Sequence, residues 1–256
     1  MTAIEFSALI EAHFGGLSGE EGLQYGDPGM PVTGLAAAWF PTVAAARTAA
    51  EAGASLLLVH EELFCPYEFL HRPENWQDWG VNRARRAALE ECEVGCYRLH
   101  YTADVHGILD DFRGTLGFPE PEIREGLQQL CRLPERRFAE WIPELKQRLG
   151  LGHVRVAGPL DKPVSLLGLA WGGLGISLNA GFLNQMVALG AEGIIAGEVD
   201  EYALRMLEDL SVPVFEAGHC ISEEAGFRRF ATELAACLFP ALPFTFIDQG
   251  RGYEVV

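Results

Sequence analysis

Three short stretches of the chain combine imidazole and carboxylate groups at spacings that suit a divalent metal ion: His60 beside Glu61, His100 with Asp104 four residues on, and His219 with Glu223, again four apart. Imidazole plus carboxylate is the ligand set of zinc, iron and manganese. Taken singly, each stretch has a plainer explanation, because a lone histidine at a strand end is more often a hydrogen-bonded structural residue. Their common position argues for a site. Each follows an apolar run that reads as a strand, and in open α/β sheets ligands bind beyond the carboxyl ends of the strands. The three are expected to share one rim.

The elements that must place them follow from apolar runs alternating with helical patterns, which predicts an α/β fold, a mixed or mostly parallel sheet covered by helices. Residues 54–60 (ASLLLVH) form a nearly continuous apolar run, as expected for a strand buried on both faces,. Strands are also expected at 34–40, 95–101, 154–156, 166–171, 192–196, 212–215, 244–247 and 253–256. Helices are expected at 42–51, 77–92, 138–149, 176–189, 201–210 and 222–238, with a short one ending near Gly117. In the 42–51 helix Val43, Ala46 and Ala50 share a face, and Gly53 closes it,. The 138–149 helix is expected either kinked at Pro143 or starting there,. The proline-bearing stretch 119–134 reads as the internal seam, with a second lobe beginning after it.

Two further features invite chemistry and have simpler readings. Residues 171–175 (WGGLG) lie between a strand and a helix and could offer backbone N–H groups to an anion,. No Lys-Ser or Lys-Thr follows, so this is not a P-loop, and close packing of helix on strand explains the glycines. Cys220, next to His219, reads as a core thiol rather than a nucleophile,. Ser222 is placed to cap the last long helix, which would let Glu223 serve the helix N-terminus as well as a metal,.

The formal charge of −17 argues against nucleic acid, which is held by lysine and arginine clusters that this chain lacks,. A phosphorylated small-molecule substrate would need a local cation, and a bound metal would supply one. Six cysteines are scattered, and the close pair Cys92 and Cys96 has no second pair to complete a four-cysteine zinc site,. The first fifteen residues carry Glu5 and Glu11 and no basic region, so no secretory leader is expected and a cytoplasmic location is,. Residues 163–191 contain no charge, but their glycines, asparagines and Gln185 argue against a membrane span,.

In order along the chain, residues 22–28 (GLQYGDP), 54–64 (ASLLLVHEELF), 100–104 (HYTAD) and 218–223 (GHCISE) resemble the GTP cyclohydrolase 1 type 2 family, also called Nif-three-like. Residues 149–158 (LGLGHVRVAG), the 172–175 glycines and 196–201 (AGEVDE) extend the resemblance nearly end to end. It implies a two-lobed Nif-three-like unit, with lobes expected at 1–118 plus 220–256 and at 119–219, assembled as a toroidal homohexamer around two-metal sites. Carried over by residue, His60, Asp104 and Glu223 would hold one ion, with Glu223 bridging to a second held by His219. His100 would stand beside the metals as a proton-transfer residue.

One departure concerns Glu61, which stands where the family has the second histidine of a pair. Glu61 would then be either a carboxylate ligand, favouring manganese, iron or magnesium over zinc, or a side chain turned away from a single ion. The family's inserted domain is not expected here. The resemblance implies one or two divalent ions (Zn, Fe or Mn) and a metal-dependent hydrolase acting on a nucleotide or related heterocycle, with His100 and Glu61 moving protons. A non-catalytic metal-binding, metal-delivery or regulatory scaffold is the rival reading.

Overall fold

The apolar run before His60 is a strand in which every residue from Leu56 to Val59 is fully buried, because the sheet around it is covered on both faces,. The computed structural model of the chain describes residues 1–67 and 70–254. The chain divides into two units, Met1–Gly107 with Phe227–Gln249, and Ile108–Gly226 with Gly250–Val256.

The first unit runs through helix α1 (Ala3–Phe14), strands β1 (Gly22–Tyr25) and β2 (Leu35–Ala38), helix α2 (Val43–Glu51), strand β3 (Leu56–Val59), helix α3 (Gly80–Glu91), strand β4 (Gly95–Arg98) and a single helical turn, α4 (Tyr101–Ala103). Helix α2 begins where the Thr42 hydroxyl accepts the Ala45 N–H and is followed by Gly53 at a φ of 75°, a left-handed position that glycine occupies without strain,. Its buried face is Ala45, Ala46 and Ala49, with Val43 and Ala50 at the margin. These small side chains bring the helix close to Leu57 and Val59 of β3. Helix α3 starts later than its pattern suggests, because Trp79 adopts an extended backbone after a separate turn at Trp76–Asp78.

The second unit contains α5 (Leu109–Thr115), β5 (Ile123–Glu125), β6 (Gln128–Arg137), α6 (Phe138–Arg148), β7 (Arg155–Ala157), β8 (Pro163–Ala170), α7 (Ala180–Ala188), β9 (Gly193–Ala196), α8 (Glu201–Asp209) and β10 (Val214–Glu216). Helix α9 (His219–Leu238) then carries the chain back into the first unit, where β11 (Phe244–Ile247) joins the first sheet. That sheet has the order β1-β4-β3-β2-β11, parallel except for β1 at its edge. The second sheet has the order β5-β6-β8-β9-β10-β7, with a parallel centre of β8, β9 and β10 and antiparallel flanks. Leu183, Met186, Ile194, Leu207 and Val214 belong to its core.

Several expectations change. The stretch 119–134 is not a linker: it supplies the β5–β6 hairpin inside the second unit, whose first residue is Ile108. Pro134, which has no N–H to donate, lies between Arg132 and Arg136, where the pairing of β6 with β8 slips,. Helix α6 starts at Phe138 and continues through Pro143. The helix expected from 176 starts at Ala180, after two tight turns at Gly172–Gly175 and Ser177–Asn179. Tyr253 and Glu254 are not in a strand, and the rest of the strand expected there, 255–256, lies outside the described residues.

The three strand ends belong to two sheets rather than one. His60 and His100 follow β3 and β4 in the first sheet, whereas His219 follows β10 in the second. Apolar runs reveal strands but not which sheet each joins, since sheet membership is set by long-range pairing. Among the described residues no helix is long and apolar enough to cross a membrane, and 163–191 forms β8, the two turns and α7.

Candidate metal centre

Strands β3 and β4 pair in parallel with Val59 opposite Arg98, so the segments bearing His60 and His100 leave the sheet side by side. His60 is fully buried, and its Nδ1 lies 3.3 Å from the Leu99 carbonyl. A carbonyl can only accept, so the proton sits on Nδ1 and Nε2 is the nitrogen presented. That Nε2 stands 3.9 Å from Asp104 Oδ1, and His100 Nε2 stands 3.9 Å from Asp104 Oδ2. The two imidazole rings are 4.7 Å apart. Asp104 opens a wide helical turn, Asp104–Ile108, of a kind common at functional sites,. One ligand atom from each of His60, His100 and Asp104 lies within 4.8 Å of the other two. Two imidazoles and one carboxylate fit zinc, iron or manganese.

The rim is tethered from the segment before β1. Glu20 Oε1 is 2.8 Å from His100 Nδ1, and Glu20 Oε2 accepts from Arg98 Nη1 at 3.3 Å. The buried Arg98 also donates Nε–H to the His60 carbonyl at 3.2 Å. Burial would raise the Glu20 carboxyl, but the His100 hydrogen bond and the charges of His100 and Arg98 outweigh it and hold the group below its ordinary value,. Glu21 accepts the backbone N–H groups of His100 and Thr102, each at 2.8 Å, and the Thr102 hydroxyl at 2.9 Å. Glu61 is buried next to His60, and both backbone N–H groups donate to the Trp39 carbonyl. Glu62, also buried, pairs with Arg72.

The second rim uses a helix instead. His219 is the first residue of α9 and Glu223 lies one turn on, with Nε2 to Oε2 at 3.2 Å. His219 Nδ1 is 3.0 Å from Glu198 Oε2, in the loop after β9. Ser222 is not the helix cap, because α9 starts three residues earlier than expected. Its hydroxyl donates to the His219 carbonyl at 2.8 Å and accepts the Gly172 N–H at 2.9 Å, so that N–H is not offered to an anion. Gly172 has a φ of 54°, and a Cβ there would collide with the Glu223 carboxylate. A Cβ on Gly197 would meet Gly172 backbone atoms at 2.5 Å and Ser222 Oγ at 2.6 Å. The glycines therefore serve close packing. Cys220 is buried, and burial together with Glu224 pushes its thiol up to about 12, which leaves it a poor nucleophile,.

The structure thus groups His60, His100 and Asp104 at one rim, with Glu61 adjoining, and pairs His219 with Glu223 at the other. Each histidine has Nδ1 on an oxygen (Leu99 carbonyl, Glu20, Glu198) and Nε2 toward a carboxylate, the arrangement that orients metal-ligating histidines,. The sequence reading missed Glu20, Glu21 and Arg98, and used Glu198 only as part of the 196–201 resemblance. No spacing links the first two to residues eighty positions away. The adjacency of Glu20 and Glu21 to the GLQYGDP motif was the one available signal.

Residues 14–250 match the family model described as Duf34/NIF3 (NGG1p interacting factor 3). A GTP cyclohydrolase 1 type 2 homolog from Yersinia pestis is 25% identical over 173 residues, which is 66% of this chain and 67% of that protein. Among solved structures, protein SA1388 of Staphylococcus aureus has the same fold, with a TM-score of 0.78 at 13% identity over 100% of this chain and 99% of that one. TTHA1606 from Thermus thermophilus shares it with a TM-score of 0.70 at 22% identity, over 99% of this chain and 100% of that one.

Proposed function

The chain belongs to the Duf34/NIF3 (NGG1p interacting factor 3) family, and on that premise we propose that it is a metal-dependent hydrolase. The observation that carries this reading is the convergence of His60, His100 and Asp104 ligand atoms within 4.8 Å of one another. His60 and Asp104 from the first rim, and His219 and Glu223 from the second, are the residues assigned to hold one or two divalent ions. When bound, such an ion acts as a Lewis acid on a substrate oxygen and makes hydroxide accessible near neutral pH.

The chain's own groups supply the rest. His60 and His219 are held in orientation by their Nδ1 hydrogen bonds, which turns Nε2 of each toward a carboxylate,. Glu61, held beside His60 and shielded from solvent, takes up the proton of the attacking water,. The substrate class is a nucleotide or related heterocycle, a choice supported by the likeness to the Yersinia pestis homolog, and the working form is a homohexamer.

The test is metal content per chain after loading with manganese, iron or zinc, followed by a hydrolysis screen over nucleoside triphosphates and purine heterocycles. Retained ions, with turnover that Glu61→Gln abolishes, are expected. Retained ions without turnover of any compound would move the chain to metal storage or delivery, and no retained ion would overturn the metal reading as a whole.

A further inference from the structure

We infer that Arg85 and Arg86 form an anion subsite in the first unit, one that takes the phosphate of a phosphorylated substrate. This rests on the substrate half of the reading above, which it deepens, and it asks nothing of the metal ions. A phosphorylated compound needs a local cation in a chain of net charge −17. These two guanidinium groups supply one from the protein itself.

The fold brings them to the end of the sheet where ligands bind. Strands β2 and β3 are parallel neighbours with Ala38 opposite Val59, so Phe40 and Leu63 both lie beyond the carboxyl ends of their strands,. Arg85 and Arg86 reach this end from α3. The Arg85 guanidinium stands 5.0 Å from the Phe40 ring centroid and donates Nη1–H to the Leu63 carbonyl at 2.6 Å. The Arg86 guanidinium stands 5.5 Å from the Phe64 ring centroid. Asn82, fully buried one turn earlier on α3, holds the same loop. Its Oδ1 accepts the Cys65 N–H at 2.8 Å, and its Nδ2 donates to the carbonyls of Cys65 at 2.5 Å and Trp76 at 2.8 Å. Loop and arginines are thus fixed to one helix before any ligand arrives.

Their charge is left to be answered. Acidic residues outnumber basic ones 36 to 19, and Arg72, Arg98 and Arg113, for example, each pair with a carboxylate. Arg85 and Arg86 are half-buried and have no carboxylate partner among the described residues. Burial lowers the Arg85 guanidinium from its ordinary value, and the groups that oppose this are the thiols of Cys65 and Cys96 and the Tyr67 phenol,. A guanidinium carries five N–H donors. Arg85 uses one on the Leu63 carbonyl, and Arg86 uses none on a described residue. A planar fork backed by an aromatic ring matches two oxygens of a phosphate at once, and binding one would return a counter-charge to a cation drawn out of water.

The experiment uses the full chain, stripped of metal and kept in metal-free buffer, with inorganic pyrophosphate as probe. Affinity is read by calorimetry and folding by thermal denaturation. Wild type is expected to bind pyrophosphate, more weakly as salt rises. Arg85→Gln and Arg86→Gln should each lose about tenfold or more in affinity, and the double variant should show no binding. Arg85→Lys, which keeps the charge and loses the planar fork, should recover part of the Arg85→Gln loss. Arg205→Gln, on the exposed side of α8, should bind as wild type does.

No pyrophosphate binding by wild type, or equal binding by the folded double variant, would overturn the inference. Should the double variant fail to fold, Arg86→Gln decides in its place, and an affinity equal to wild type would overturn it. A loss in Arg205→Gln as large as that in Arg85→Gln would show general charge attraction and overturn it too. Metal content after loading is measured alongside. Arginine-dependent pyrophosphate binding by a wild type that retains no ion would uphold the subsite while the metal reading fails, and retained ions without pyrophosphate binding would do the reverse.

Discussion

The two rims reach similar chemistry by opposite routes. In the first, His60 and His100 come from neighbouring parallel strands forty residues apart in the chain, and both are oriented from a distance, by Glu20 through His100 and by Arg98 through the His60 carbonyl. In the second, His219 and Glu223 are one helical turn apart, and what they need is room, supplied where Gly172 and Gly197 lack side chains. A site spread over strand ends depends on added polar contacts, whereas a site on one helix depends on omitted side chains. The two rims should therefore fail differently when altered.

The largest effect is expected at Gly172→Ala. A left-handed backbone and a Cβ directed into the Glu223 carboxylate should together cost about 2 to 4 kcal/mol in chemical denaturation,. A loss below about 1 kcal/mol would mean that the second rim has slack and the contrast is false. Arg98→Met tests the first rim. It leaves Glu20 without its buried cation and the His60 carbonyl without its donor, at about 2 to 3 kcal/mol,. Adding Glu20→Gln to Arg98→Met should recover part of this, and strict additivity of the two changes would show that the tether is not one unit.

Ser222→Ala is a smaller perturbation of the second rim. It removes the acceptor of the buried Gly172 N–H and should cost about 1 to 2 kcal/mol, measured by urea unfolding,. The smallest effect concerns Asp200, which caps α8 and accepts from Ser177 two residues beyond Glu198. Burial alone would raise this carboxyl, but hydrogen bonds from Ser177 and the Ala203 N–H outweigh burial and hold it below its ordinary value of 3.8. Because the folded value is depressed, the stabilisation is fully present above that ordinary value and disappears as pH falls through the lower one. Asp200→Ala should thus be about 1 kcal/mol less stable at neutral pH, and its stability curve should meet the wild-type curve in strong acid. Curves that stay parallel would remove the charge from the explanation.

How much of this was legible follows the same division. His60 could be read because an uninterrupted apolar run ends on it, and the four-residue spacing of His219 and Glu223 could be read because one helical turn is a local property,. Glu20 could not, since its partner is eighty residues away and only the pairing of β1 with β4 brings the two segments near each other. Ser222 was mistaken for a cap because cap preference is a rule about helix starts, and α9 starts at His219. The stretch 119–134 looked like a seam on composition, yet Pro134 is absorbed where the β6–β8 pairing slips. That the three strand ends divide between two sheets could not be read for a related reason. Period and run length identify strands, whereas the division into two sheets is written only in which backbones exchange hydrogen bonds.

Strand β11 carries a consequence for the order of synthesis. Four of the five strands of the first sheet, together with His60, His100, Asp104 and Glu20, lie within the first 107 residues, but the fifth strand, Phe244–Ile247, pairs with β2. As the chain emerges from the ribosome, the donor groups of the first rim are all present while the outer edge of β2 has no partner, and it stays so until Ile108–Gly226 and helix α9 have been made. An apolar strand edge held open that long is a template for a neighbouring chain. The newborn protein is therefore most prone to self-association after the His60, His100 and Asp104 segments exist and before β11 arrives,.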